Sequence, residues 1–289
     1  MDCLKNLTEG LMAYKDIKIE REREGRVAKL ILNRPHKMNA LTWETSQEFL
    51  AGLQEIANDP KVVVMILTGA GGNFCSGDDI TEFPKREFQD ILVVSRFHQK
   101  MSNFIEEMDK ITIAAVEGYA VGGGLELTMV CDLVFAEEGA MFGIPEVDID
   151  TTPGWGGTQR YGRLVGRRRV KEMLFLGTLM NAQEAKEFQL VNHVLPKGKL
   201  NEAVNDTIDI LLDKNPLTLK LFKFILTRGL EADLTTSLGF EVLSSTICFA
   251  DKEQKKATTE FSRRGRGWKD RRERVKAWMK KYQGYSYGK

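Results

Sequence analysis

The sequence predicts an α/β core followed by a purely helical C-terminal region. Three features carry that expectation. "VVVMILTGA" (62–70) is a continuous β-branched run of the kind that forms a strand buried on both faces, and "ITIAAVEGYA" (111–120) resembles it. Between them, "RFHQKMSNFIEEMDK" has helical spacing. From "KLNEAVNDTIDILLDK" onward strand patterns stop and helical periodicity continues, interrupted only at "KNPLTLK".

In chain order, a polar leader (residues 1–13) precedes "DIKIEREREGRVAKLILNRP", which reads as two strands joined at Glu24-Gly25, with Pro35 ending the second. Thr42 stands at a capping position before the helical "WETSQEFLAGLQEIAND". Repeated strand-to-helix units with buried strands are what an α/β layer architecture requires. The expected division is a core over 14–200, a helical region over 201–269 and a basic, aromatic tail over 270–289.

At 289 residues the chain is long enough for a large core of its own. Forty-two basic residues against 41 acidic ones leave no net field that would favour nucleic acid. The one local excess lies between Ser262 and Lys289, with eleven Lys or Arg and two acids, and charge runs of this kind are usually solvated faces. Cys3, Cys75, Cys131 and Cys248 have no paired-thiol spacing, against both a zinc site and a disulfide framework. The N-terminus lacks the apolar stretch of a signal peptide, and no apolar run approaches a membrane span. A cytoplasmic protein with no membrane contact is expected.

Two oddities meet in "AAVEGYAVGGGLELTMVCD" (114–132): three consecutive glycines, and a glutamate between Leu125 and Leu127. Glycine costs roughly 0.5–1 kcal/mol in a helix interior, and a carboxyl among apolar neighbours must find a partner or have its pKa raised.

Six segments together resemble the crotonase, or enoyl-CoA hydratase/isomerase, superfamily between Tyr14 and Lys269: "NRPHKMNAL" (33–41), "FCSGDDI" (74–80), "GYAVGGGLEL" (118–127), "FGIPEVDI" (142–149), "PGWGGTQR" (153–160) and "AKEFQLVNHV" (185–194). The resemblance implies a spiral of β-β-α repeats with a helical C-terminal trimerisation region, often as a dimer of trimers. It also implies an acyl-CoA thioester substrate, no metal, and no cofactor beyond the coenzyme A that the substrate carries.

By the same resemblance the backbone amides of Asp78 and Gly123 form an oxyanion hole for a thioester enolate, the charge for which fixed donors are most effective. Glu126 and Glu146 occupy the two positions that hydratases of the family fill with glutamate, the first activating water and the second delivering a proton to Cα. Lys37, beside Arg34 and His36, is expected to meet the coenzyme phosphates, with Ala40, Ser76 and Ile80 along the substrate channel. An aspartate at 78 departs from the family's small residue and is expected to serve through its backbone alone. Trp155, where a small residue is common, either lines the acyl pocket or sits on the surface, and Asp150, Ser262 and Gly265 depart as well.

The leading expectation is therefore an enoyl-CoA hydratase. Its alternatives are another crotonase reaction on an unusual acyl group, such as isomerisation or hydrolysis of a cyclic or dienoyl thioester, and a catalytically silent interaction or RNA-binding member. With three histidines and none in a triad setting, a serine or cysteine hydrolase is not favoured.

Overall fold

Strands β1 (Ile17–Glu22) and β2 (Val27–Leu32) pair antiparallel through a 3-10 turn in which Glu24 takes φ 59°. The computed structural model describes residues 14–263 and 265–282, so the expected leader, 1–13, and the last seven residues lie outside the described chain. Helix α1 (Trp43–Asn58), capped by the Thr42 hydroxyl accepting from Thr45 N, carries the chain to β3 (Val64–Gly69), and α2 (Phe88–Glu107) carries it on to β4 (Ile111–Val116).

After β4 come β5 (Tyr119–Val121), α3 (Gly123–Met129), β6 (Leu133–Glu137), β7 (Met141–Gly143), α4 (Gly157–Val165), α5 (Arg167–Leu176), β8 (Leu179–Asn181), α6 (Ala182–Glu187) and β9 (His193–Leu195). Two sheets result, one ordered β1-β2-β3-β4-β6-β9 and parallel from β2 onward, the other ordered β5-β7-β8.

The apolar run of β3 resolves into two faces. Met65 and Leu67 join the main core with α1 and α2, whereas Val64 and Ile66 join a second core with Leu200, Val204 and Ile208 of α7 (Leu200–Leu212). Alternation with period two across a sheet covered on both sides is why this strand reads as continuously hydrophobic.

Helices α8 (Pro216–Gly229), α9 (Leu234–Ala250), α10 (Lys252–Ser262) and α11 (Arg266–Tyr282) complete the described chain. The expected boundary at 269/270 falls inside α11, and the basic tail is not simply a solvated face. Its Trp278 donates Nε1 to Thr207 Oγ1 at 2.9 Å, Lys281 bridges Glu202 and Asp206 at 2.7 Å each, and Tyr282 Oη donates to Asp206 at 2.7 Å. The composition obscured this docking because one side of the helix is cationic while Trp278 and Tyr282 pack on the second core. Among the described residues no helix is long and apolar enough to cross a membrane.

Candidate active site

Backbone pairing gathers the expected site from three distant stretches. Single parallel bridges join Leu41 to Asp78 and Cys75 to Ala120. Leu41 N donates to Gly77 O at 2.8 Å, Asp79 N to Leu41 O at 2.8 Å, and Val121 N to Cys75 O at 3.0 Å. These bonds set the 76–78 turn beside the start of α3, so closely that a Cβ on Gly77 would fall 2.9 Å from Gly123 N.

The glycine run has a steric explanation at each position. Gly122 caps α3 at φ 58°, a conformation that L side chains rarely adopt. A Cβ on Gly123 would lie 2.8 Å from the Trp155 ring, and one on Gly124 would lie 2.0 Å from the Cys75 carbonyl oxygen. Among the described residues neither Gly123 N nor Asp78 N finds an acceptor, and Gly123 is the first residue of its helix, where amides are left without intrahelical partners.

A cavity of about 450 Å³ opens in front of these amides. Six of the nine residues singled out from sequence line it: Ser76, Asp78, Gly123, Glu126, Glu146 and Trp155, and Ile80 makes a seventh at its exposed rim. Lys37 and Ala40 do not line it. Lys37 is exposed, with its carbonyl accepting from Ser76 Oγ at 3.4 Å, and Ala40 is buried. Arg34, expected to be an available cation, is spent inside the protein on Ala40 O at 2.5 Å and Asp79 at 3.1 Å.

Glu126 is buried at 2 % exposure, and its Oε1 accepts from Trp155 N at 3.0 Å and Gly157 N at 2.5 Å. Burial pushes its carboxyl up to about 8 against the pull of the Gly157 N–H, with the charges of Glu146 and Asp78 adding to the rise. Glu146 begins a 3-10 turn after Pro145, and its Oε2 is buried with no partner among the described residues. Burial, with Asp78 nearby, raises it to about 7.

Of the two positions expected for Trp155, the structure has the first: at 2 % exposure it forms part of the cavity wall. The Asp78 side chain, expected to be idle, is engaged: its Oδ2 accepts from Trp155 Nε1 at 3.0 Å. Burial raises the Asp78 carboxyl to about 6, opposed by the Arg86 guanidinium.

His98, from α2, was not singled out from sequence. Its ring lies 4.1 Å from that of Trp155, its Nδ1 3.8 Å from Asp78 Oδ1, and burial lowers its pKa to about 3. The one signal available was its place in the α2 pattern, which does not distinguish a core histidine from a site histidine.

The two-sheet α/β core thus carries one cavity lined by the buried Glu126, the half-buried Glu146 and two amides with no acceptor among the described residues, and the comparisons with known proteins show which class of fold this is. The family model for enoyl-CoA hydratase/isomerase matches residues 22–271, and the chain belongs to that family. It is 38 % identical over 253 residues to the short-chain-enoyl-CoA hydratase of Clostridium acetobutylicum, covering 86 % of this chain and 97 % of that protein. It is 38 % identical over 251 residues to the crotonyl-CoA hydratase of Syntrophomonas wolfei, covering 86 % and 96 %. Among solved structures, an enoyl-CoA hydratase from Bacillus anthracis superposes with a TM-score of 0.82 at 31 % identity, covering 87 % of this chain and 97 % of that one.

Proposed function

We propose that the protein is a hydro-lyase that adds water across the double bond of an α,β-unsaturated acyl-CoA thioester. The observation that carries this reading is the pair Glu126 and Glu146 on one cavity whose wall holds the amides of Gly123 and Asp78, which find no acceptor among the described residues. The names of the two 38 % identical relatives support it.

The thioester oxygen accepts from the two amides, which stabilise the enolate as it forms; one such donor is typically worth about 10²–10³ in kcat. Glu126 takes a proton from water as its oxygen bonds to Cβ, the double-bond electrons move into the enolate, and Glu146 delivers its proton to Cα. One proton then passes from Glu126 back to Glu146 through solvent, and the balance is water added. Burial raises both carboxyls, Glu126 to about 8 and Glu146 to about 7, so the pair keeps a proton near neutral pH. The reactive arrangement has that proton on Glu146, and the two N–H groups at Glu126 stabilise the anion this arrangement needs.

Assembly into trimers, or pairs of trimers, is part of the same proposal. Ser244 is the one buried residue of α9 in the described chain, and its Leu234, Val242 and Phe249, with Leu230 just before it, are each at least 65 % exposed. An apolar face of this extent marks a protein interface.

Mixing the protein with crotonyl-CoA and following the absorbance of the conjugated thioester tests the reaction. Loss of that absorbance with formation of 3-hydroxybutanoyl-CoA is expected. Free coenzyme A, or a shifted double bond without hydration, would replace hydratase by hydrolase or isomerase.

A further inference from the structure

Trp155 has two N–H groups and gives them to different parts of the site. Its backbone N–H holds the Glu126 carboxylate at 3.0 Å, and its indole N–H holds the Asp78 carboxyl, also at 3.0 Å. The same ring packs against Gly123, whose amide is the second with no acceptor among the described residues. One residue thus touches the base and both segments that present oxyanion donors.

The ring is itself held. His98 lies against it, and His98 Nε2 meets Ser46 Oγ of α1 at 2.8 Å. The loop before Trp155 is tied to α2 by Gln99 Nε2 donating to Gly154 O at 3.1 Å, and the helix after it by Arg160 to Glu106 at 2.7 Å. A half-buried carboxylate next to a developing enolate would oppose that charge, so Asp78 is an unfavourable choice for chemistry. Its side chain is explained by what it grips.

We propose that Trp155 and the Asp78 side chain form one positioning unit, braced by His98, that keeps the oxyanion amides and Glu126 in register. The inference rests on the roles assigned to those groups under Proposed function. Misplacing one group of a site by about 1 Å can cost on the order of 10² in rate, which sets the scale of the effect.

Four variants test it: Trp155→Phe, which removes the indole N–H and keeps a ring against Gly123, Asp78→Ala, the double variant, and Asp78→Asn, whose amide oxygen can still accept from the indole. The readouts are kcat and KM for crotonyl-CoA, and the absorbance that reports how much bound acetoacetyl-CoA is present as its enolate, a measure of the oxyanion donors independent of hydration. Trp155→Phe and Asp78→Ala should each lower kcat about 10- to 100-fold with KM changed less than about threefold. Each should also reduce the bound enolate fraction. The double variant should be no worse than the worse single, since both break one contact, and Asp78→Asn should recover most of what Asp78→Ala loses.

Wild-type kcat and enolate fraction in Trp155→Phe, or losses that multiply in the double variant, would overturn the unit. If Trp155→Phe does not fold, the contrast between Asp78→Ala and Asp78→Asn decides alone, and equal losses count against the proposal. A wild-type protein that hydrates nothing yet forms a Trp155-dependent bound enolate would defeat the hydration reading and leave the positioning unit standing. No bound enolate in the wild type would remove both.

Discussion

Lys223, in the middle of α8, ends on the Asp132 carboxylate at 2.8 Å and on the carbonyls of Lys110 and Ile105 at 2.9 and 3.1 Å. Asp132 also accepts from Thr112 N and Oγ1, so one cluster fastens the helical C-terminal region to the start of β4. Replacing Lys223 by Met keeps the volume but takes a donor from two carbonyls and the cation from a partly buried carboxylate, which keeps only its Thr112 donors. We expect a loss of roughly 2–3 kcal/mol, below the roughly 3–5 for breaking a fully buried pair because Asp132 retains solvent contact and its Thr112 donors. Denaturant unfolding checks it, and a change below about 0.5 kcal/mol would contradict it.

Gly124 and Gly139 make a matched pair for the packing account of the glycine run. A Cβ at Gly124 would lie 2.0 Å from backbone oxygen, whereas nothing lies within 4 Å of one at Gly139. Gly124→Ala should therefore cost at least about 1–3 kcal/mol, the range for overpacking, while Gly139→Ala leaves the melting temperature within a degree or two. Equal effects would mean that the run has another cause.

Much of this was legible in the sequence because it rests on local pattern. The buried strands announce themselves by β-branched runs, and Glu126 and the glycines are conspicuous because each is costly where it stands. The environment of Trp155 was not legible, since its partners come from 77 residues upstream at Asp78 and from His98 on another helix. Arg34 is a similar case: a cation in a segment expected to meet the coenzyme looks available until Asp79 and Ala40 are seen to occupy it. The return of α11 onto α7 depends on Trp278 and Tyr282 reaching a second core that composition does not reveal.

Assembly should depend on the apolar face of α8 and α9. The wild type is expected to scatter light as a trimer or a multiple of three. Leu234→Asp and Val242→Asp, both at positions exposed in the single chain, should shift it towards monomer. A wild-type monomer would contradict the interface.

The raised carboxyls make stability depend on pH in a defined direction. For Glu126 the folded pKa is about 8 against an ordinary 4.5, so between those values the folded protein keeps a proton that the unfolded chain has released. This contribution is fully present below about pH 4.5 and is lost as pH rises through about 8, at up to about 1.4 kcal/mol per pH unit. Glu126→Gln is neutral throughout and should gain on the wild type between pH 5 and 8. A gap constant with pH, read by thermal melts in matched buffers, would contradict the buried-acid account.

The central claim is that Glu126 and Glu146 act as base and acid on one acyl-CoA, and single-turnover hydration of crotonyl-CoA by Glu146→Gln tests it most directly. Glutamine fits the same space and cannot deliver a proton. The account predicts a rate lower by at least about 10²-fold with crotonyl-CoA binding within a few fold of wild type, and the same pattern for Glu126→Gln. A hydration rate near wild type in Glu146→Gln, with binding intact, would contradict it.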